Sequence, residues 1–379
     1  MSTRAGNWMR MDGYRAFIPK PLPPHPPLKF DENLMTQLAE AERQVGRLES
    51  VSLLVPDPDR FVGMYVRQEA VLSSQIEGTQ ASLAQLLEYE AAAEDTERTV
   101  DLGEVINYLA ALRYGLNHLD KLPICSRLMC DVHRVLMTGV RGGESSKSPG
   151  EFRRSQNWIG GTGPASARFV PPPPDEMKRA LSELDKYLNR SKNTPLFIET
   201  GLVHAQFETI HPFLDGNGRM GRLLITFLLT ARGALTKPML YLSHYFKMHR
   251  DEYYGRLQAV REVGDWEGWL RFFLTGMAVV AEEATSRARK ILEFQRLDQE
   301  TIRAKLGQRA AMGLRLLDHL IEKPITSSTF VRRVLDVSQP TADRLLNDFE
   351  ELGILRETTG QRRGRRYSYH RYLALFEES

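Results

Sequence analysis

The stretch His211-Pro-Phe-Leu-Asp-Gly-Asn-Gly-Arg-Met-Gly-Arg222 brings a titratable base, a carboxylate, a glycine-rich turn and two arginines into twelve positions of a 379-residue chain. Pro212 disfavours helical dihedrals at His211, so a helix arriving from upstream should stop there and leave the imidazole on a loop. Asp215-Gly216-Asn217-Gly218 tolerates positive φ, and the apolar run Leu223, Leu224, Ile225, Phe227, Leu228 and Leu229 predicts a buried helix opening near Gly218. A tight turn feeding a helix N-terminus aims backbone N–H groups and the positive end of the dipole at one point, which suits an anion. Arg219 and Arg222, three apart, lie on one helix face and can grip neighbouring phosphates. The spacing Gly216-x-Gly218-x-x-Gly221 also fits a dinucleotide fingerprint. That reading is rejected, because His-Pro-Phe precedes it instead of a strand and no Asp or Glu follows until Asp251 to hold a ribose. A capped turn with surface arginines is the plainer alternative, and it leaves the joint presence of His, Asp, Asn and both Arg unexplained.

The stretch resembles the signature of the Fic family, His-x-Phe-x-Asp/Glu-Gly-Asn-Gly-Arg-x-x-Arg, with every defining position present. The resemblance implies a mainly α fold, with a Fic-type helical core and a short β-hairpin flap. It implies an enzyme, a protein adenylyltransferase that moves AMP from ATP to a Ser, Thr or Tyr hydroxyl of a target protein or of itself. Carried over by position, His211 is the base for the target hydroxyl and Asp215 holds the Mg²⁺ that bridges the phosphates. Asn217 and the turn amides of Gly216 and Gly218 hold the α-phosphate, while Arg219 and Arg222 hold the departing pyrophosphate. Elementary chemistry agrees: an ordinary histidine titrates near about 6.5 and is neutral enough at pH 7 to act as base. In-line phosphoryl displacement chiefly needs positioning and charge neutralisation.

Length predicts two to three domains, each with its own core. A formal net charge of +3 makes no global demand for nucleic acid. Cys125 and Cys130, five apart, fit no zinc or redox spacing and read as reduced thiols. The N-terminus carries Arg4, Arg10 and Arg15 among polar residues and does not read as a secretory signal, and no apolar run approaches the ~18 residues of a membrane span. The expectation is a soluble cytoplasmic protein without a membrane partner.

Residues 1–30 end in Pro-Lys-Pro-Leu-Pro-Pro-His-Pro-Pro, which predicts an extended polyproline strap. Asp31 to Glu49 shows apolar residues three and four apart, an amphipathic helix. A further helical stretch, Asp59 to Ala93, contains Ser73-Ser-Gln-Ile-Glu77-Gly78. Alone, a Ser and a Glu four apart followed by a glycine cap mean little. Beside the signature they resemble the family's inhibitory motif, Ser/Thr-x-x-x-Glu-Gly/Asn. In that resemblance Ser73 and Glu77 are the inhibitory positions, and Glu77 pairs with Arg222 and competes with the γ-phosphate for its guanidinium fork. Two helices follow over 101–140, then an exposed loop from Val140 to Gly150. Asn157 to Val170 reads as two β-prone pieces around a glycine turn, by itself a surface hairpin. In the Fic family it resembles a flap that holds the target segment by strand addition. His204 and Glu208 lie four apart on the helix delivering His211, and the spacing fits no zinc motif; His204 reads as a core histidine with a hydrogen-bond partner. Tyr253 and Tyr254 read equally as core or as pocket lining. Trp266 to about Leu306 contains no proline and predicts a long helix or a broken pair.

Arg309 to Ser379 resembles a winged helix-turn-helix domain, with helices over 310–321, 327–335 and 341–352 and a strand pair around the basic tip Arg362-Arg363-Gly-Arg365-Arg366. DNA is an allowed partner, but Asp343, Asp348, Glu350 and Glu351 against Arg344 on the third helix rank it behind target docking or self-association as a homodimer. The division read from sequence is 1–100 as an N-terminal helical region with the inhibitory motif, 101–285 as the catalytic core, 286–308 as a connecting helix and 309–379 as the winged-helix domain. Two other functions fit the same letters. One is a de-AMPylating phosphodiesterase in the same pocket, and the other a nucleotide-sensing, DNA-binding transcriptional regulator.

Overall fold

The apolar periodicities resolve into a mainly helical chain in the computed structural model, which describes residues 3–53, 55, 57–91, 99–140, 148–190 and 194–377. In order come β1 (Gly6–Arg10), β2 (Arg15–Pro19), α1 (Glu32–Ser52), α2 (Pro58–Ile76), α3 (Leu83–Ala91), α4 (Val100–His118), α5 (Ser126–Met137), α6 (Pro174–Asn189), α7 (Leu196–Ile210) and α8 (Asn217–Ala231). Then follow α9 (Ser243–Met248), α10 (Arg250–Val263), α11 (Trp266–Lys305), α12 (Ala310–Glu322), β3 (Ile325–Ser327), α13 (Ser328–Leu335), α14 (Gln339–Glu351), β4 (Arg356–Glu357), β5 (Arg366–Ser368) and α15 (His370–Glu377).

The chain folds into two units. The first comprises Met1–Glu49, Glu69–Gln80 and Thr99–Glu282. Its centre is the pair α7 and α8, whose side chains are buried on nearly every face, including Leu202, Phe207, Leu223, Leu224 and Phe227. A helix apolar all round belongs in the middle of a bundle, and α4, α5, α6 and α10 surround this one. Gly115 in α4 shows how tight the packing is, since a Cβ there would stand 2.1 Å from the Phe227 ring. His204 sits in this core as expected, with Nδ1 at 3.0 Å from the Gly221 carbonyl and Nε2 at 2.9 Å from the Tyr253 hydroxyl.

Two readings of the first unit change in detail. The N-terminal residues form an antiparallel hairpin before the prolines begin, with Trp8 opposite Phe17. The β2 strand is tied inward by Phe17 N–H donating to the Val170 carbonyl at 2.9 Å. The expected flap over 157–170 contains one antiparallel bridge, Ile159 with Phe169, with N–H···O distances of 2.8 and 3.2 Å. Glycines at 160, 161 and 163 leave the rest of that turn without strand pairing, since each such residue loses much freedom on ordering. Most of the loop expected from Val140 to Gly150 lies outside the described residues.

The second unit comprises Ser50–Gln68, Ala81–Arg98 and Glu283–Ser379. Helices α12, α13 and α14 pack Leu316, Leu317, Leu320, Val331, Leu345, Leu346 and Phe349 into one core. Beside them lies an antiparallel sheet of order β3-β5-β4. The helical stretch read as Asp59 to Ala93 divides into α2 and α3, and the residues between them carry the Glu77 turn.

Candidate active site

Helix α7 stops where Pro212 requires it to. His211 caps it in the left-handed region, φ 48° and ψ 62°, with its N–H donating to the Phe207 carbonyl at 2.9 Å. Gly216 then turns the chain at φ 75° and α8 begins at Asn217. The loop between is braced from outside. Arg153 Nε and Asn157 Nδ2 donate to the His211 carbonyl at 2.9 and 3.2 Å, Asn157 Nδ2 also reaches the Phe213 carbonyl at 2.8 Å, and Arg153 N–H donates to the Pro212 carbonyl at 2.9 Å. His133 stacks on Phe213 with ring centroids 3.7 Å apart and meets the Asp215 carbonyl at 3.0 Å through Nε2. Arg261 donates to the Glu208 carbonyl at 3.0 Å and lies over the Phe169 ring at 4.0 Å.

Two of these braces also bear on the charge state of His211. Burial, reinforced by the Arg261 and Arg153 guanidinium groups, pulls the His211 pKa down to about 3. The imidazole is therefore neutral across the physiological range. Burial raises Glu208 to about 7, and its Oε2 lies 4.0 Å from His211 Nδ1.

At the start of α8 the two signature arginines meet the Ser73–Glu77 stretch. The first turn of a helix has amides without intrahelical acceptors, and both signature arginines are buried beside it. Arg222 donates from Nε to Ser73 Oγ at 2.8 Å, and from Nη2 to the Ser73 carbonyl at 2.9 Å and to Glu77 Oε1 at 2.7 Å. The contact with Glu77 thus uses one nitrogen and one carboxylate oxygen. Glu77 Oε1 also lies where a Cβ on Gly218 would be, 2.2 Å away, so the carboxylate rests directly on the backbone that opens α8. Arg219 Nη1 stands 3.6 Å from Glu104 Oε2, the same oxygen that accepts from Thr79 Oγ1 at 2.5 Å.

The structure gathers Ser73, Glu77, Gly218 and Arg222 at one point. Asn217 Oδ1 accepts from Phe213 N–H at 2.9 Å and its Nδ2 donates to the Phe213 carbonyl at 2.8 Å, so the side chain clamps the loop. Asp215, the carboxylate of the loop, accepts from Gly216 N–H through Oδ1 at 2.6 Å. No group of three or more His, Cys, Asp or Glu able to hold a metal occurs among the described residues. A single carboxylate suits Mg²⁺ that arrives with substrate phosphates and keeps several waters. Arg153, Asn157, Arg261, His133 and Glu104 carried no sequence signal, because each acts through a backbone or an arginine distant in the chain.

The sequence matches known families. The Fic/DOC family N-terminal model matches residues 35–117, and the Fic/DOC family model matches residues 123–229, about half of the chain between them. The chain belongs to the Fic/DOC family. It is similar to a protein named protein adenylyltransferase Fic of Aedes aegypti, 34% identical over 207 residues, and to its namesake of Drosophila yakuba, 30% identical over 203 residues. Each match covers 52% of this Fic chain and 37% of the relative, so the chain spans a little over a third of the length of those relatives. Among solved structures, a Fic family protein from Desulfovibrio desulfuricans G20 aligns with a TM-score of 0.58 at 21% identity, covering 90% of this chain and 97% of that one. A Fic domain containing signaling protein from Bacteroides thetaiotaomicron aligns with a TM-score of 0.54 at 18% identity, covering 66% and 97%. Both likenesses concern the fold.

Proposed function

We propose that this chain transfers AMP from Mg-ATP to a hydroxyl side chain of a target protein or of itself, and that Glu77 restrains the reaction. The observation that carries the proposal is a neutral, partly buried histidine that ends α7, a short turn before the N-terminus of α8, which two buried arginines flank. In the reaction the target oxygen attacks the α-phosphorus, the bond to the β-phosphate oxygen breaks, His211 accepts the hydroxyl proton and pyrophosphate departs. The amides at the start of α8 hold the α-phosphate, and Arg219 and Arg222 hold the leaving oxygens. Asp215 would hold Mg²⁺, which neutralises phosphate charge when bound.

Restraint follows from donor geometry. Arg222 Nη2 already serves Glu77 and the Ser73 carbonyl, so a γ-phosphate must displace the carboxylate to reach the same donors. The helical and strand order of the second unit supports the winged-helix reading, with docking or self-association as its role. Two unpaired cysteines agree with a reducing, cytoplasmic setting. The test is incubation with labelled Mg-ATP followed by mass spectrometry of any AMP adduct on Ser, Thr or Tyr. Labelled AMP on protein supports the proposal, and absence of any adduct even from a Glu77→Gly variant refutes it.

A further inference from the structure

Arg219 is buried, 3% exposed, and its guanidinium is poorly satisfied. Nη2 donates to the Met137 sulfur at 3.4 Å, while Nε and Nη1 are buried without a hydrogen-bond partner among the described residues. The carboxylate beside it is Glu104, whose Oε2 lies 3.6 Å from Nη1. We propose that Glu104 is a positioning residue for Arg219: its carboxylate fixes the guanidinium for an incoming phosphate, and Thr79 fixes the carboxylate. The inference rests on the role of Arg219 as a phosphate holder given above.

Three helices of the first unit meet around this arginine. Arg219 lies in the first turn of α8, Met137 ends α5, and Glu104 lies in the second turn of α4. Met137 also rests on the signature turn, since a Cβ on Gly216 would stand 2.6 Å from its sulfur. Thr79, two positions after Glu77 and 2% exposed, donates from Oγ1 to Glu104 Oε2 at 2.5 Å. Its own N–H donates to the Ser74 carbonyl at 3.2 Å, and the next residue, Gln80, donates its N–H to Asp101 Oδ2 at 2.8 Å. Glu104 is thereby held through the same oxygen that faces Arg219. The segment whose Glu77 occupies one signature arginine props the other.

A thioether sulfur is a weak acceptor and does not by itself set the plane of a guanidinium. A buried charge needs a partner, and Glu104 supplies one. A carboxylate near a polyphosphate also repels it, so the sign of the effect depends on where the carboxylate sits. Glu104 faces Nη1, which lies outside the edge formed by Nε and Nη2. On that edge Nε has no hydrogen bond and Nη2 meets only the sulfur. A guanidinium takes two oxygens of one phosphate along such an edge. Aim therefore outweighs repulsion, and once a phosphate is seated its own charge fixes the plane. The contribution of Glu104 falls on capture of the nucleotide and not on the transfer step.

The experiment uses the full chain in a Glu77→Gly background. Initial rates of label incorporation are measured against Mg-ATP concentration, beside calorimetric binding of Mg-ATP. Glu104→Gln keeps the shape and an acceptor for Thr79 but removes the charge. It is expected to raise KM and the dissociation constant about tenfold, the size of one lost hydrogen bond to a charged group, with kcat within about twofold. Glu104→Asp keeps the charge on a shorter stem and is expected to fall between. Thr79→Val is expected to raise KM about two- to threefold, the size of one neutral hydrogen bond. Thr79→Val/Glu104→Gln is expected to match Glu104→Gln alone, because the hydroxyl acts through the carboxylate. Arg219→Ala is expected to lower kcat as well as raise KM. A partly unfolded variant would lose kcat at unchanged KM, the opposite pattern, and a thermal melt identifies it. An unchanged or lower KM and dissociation constant in Glu104→Gln overturns the proposal, as does an additive double variant. If the Glu77→Gly chain binds Mg-ATP but incorporates no label, the transferase reading fails and the calorimetry still decides the role of Glu104. If it binds no Mg-ATP, both fail.

Discussion

Replacing Glu77 with glycine removes one charge-assisted hydrogen bond from Arg222 and leaves the two bonds to Ser73, at 2.8 and 2.9 Å, in place. The fork therefore stays aimed while its anionic competitor is gone. A hydrogen bond to a charged group contributes roughly 1.5–3 kcal/mol. The Glu77 side chain is 33% exposed, which screens the interaction and argues for the lower end of that range. At about 1.4 kcal/mol per factor of ten, kcat/KM for Mg-ATP should rise roughly tenfold. Glu77→Gln keeps the shape and one weaker bond, so its gain should be a few-fold. Label incorporation at subsaturating ATP reads both. Glu42→Gly, on an exposed position of α1 away from Arg222, controls for the loss of a carboxylate elsewhere in the chain. Combining Glu77→Gly with Arg222→Ala should abolish the gain, because the phosphate loses its holder. An unchanged rate in Glu77→Gly with an intact melt would refute the competition argument.

His211→Ala should lower transfer by about 10²–10⁴ with nucleotide binding nearly intact, checked by single-turnover labelling beside a binding titration. Because burial pulls the His211 pKa down to about 3, its neutral form persists as pH falls. The Glu77→Gly variant should thus show no rate loss centred at about 6.5; a half-maximal point there would mean the imidazole is solvated. At Gly218 an added methyl would stand 2.2 Å from Glu77 Oε1 and 3.2 Å from Arg222 Nη1. Gly218→Ala should consequently give no activation and should weaken ATP binding even with Glu77→Gly, measurable by calorimetry. Glu69 is buried with its pKa raised to about 7 by desolvation, partly offset by bonds from Ser243 and Tyr108. Folding favours its protonated form, so its contribution to stability is present below about 4.5 and lost as pH rises through 7. Glu69→Gln should therefore stabilise the chain more at pH 8 than at pH 5, by roughly 2–3 kcal/mol from a shift of this size; equal effects at both pH values would count against the raised pKa.

The helical core was legible because Pro212 and the glycines punctuate an otherwise strong helical period, which placed His211 at a helix end and α8 after it. The N-terminal hairpin carried a signal that the prolines overshadowed: Asp12-Gly13 between two β-prone runs is a turn dipeptide, and Gly13 takes φ 77°. Arg153, Asn157 and Arg261 were beyond reach for a different reason. Their partners are backbone carbonyls, which leave no trace in side-chain pattern, and the contacts span 52 to 58 positions or more. Nor did any periodicity announce that 50–68 and 81–98 pack with the C-terminal residues, since an amphipathic stripe states that a face is buried and not against what.

His211 is one of few non-glycine residues here with positive φ, a conformation that costs roughly 1 kcal/mol or more and persists only when the surroundings over-determine it. The surroundings are Arg153, Asn157 and the cap to Phe207. The imidazole is thus held in place in the resting protein, so under the proposed function idling does not come from a misplaced base. Under the proposed function, a chain with its proton acceptor held this way exercises control where the nucleotide enters, so variation that tunes the idle rate belongs around the fork of Arg222 and leaves the histidine loop alone.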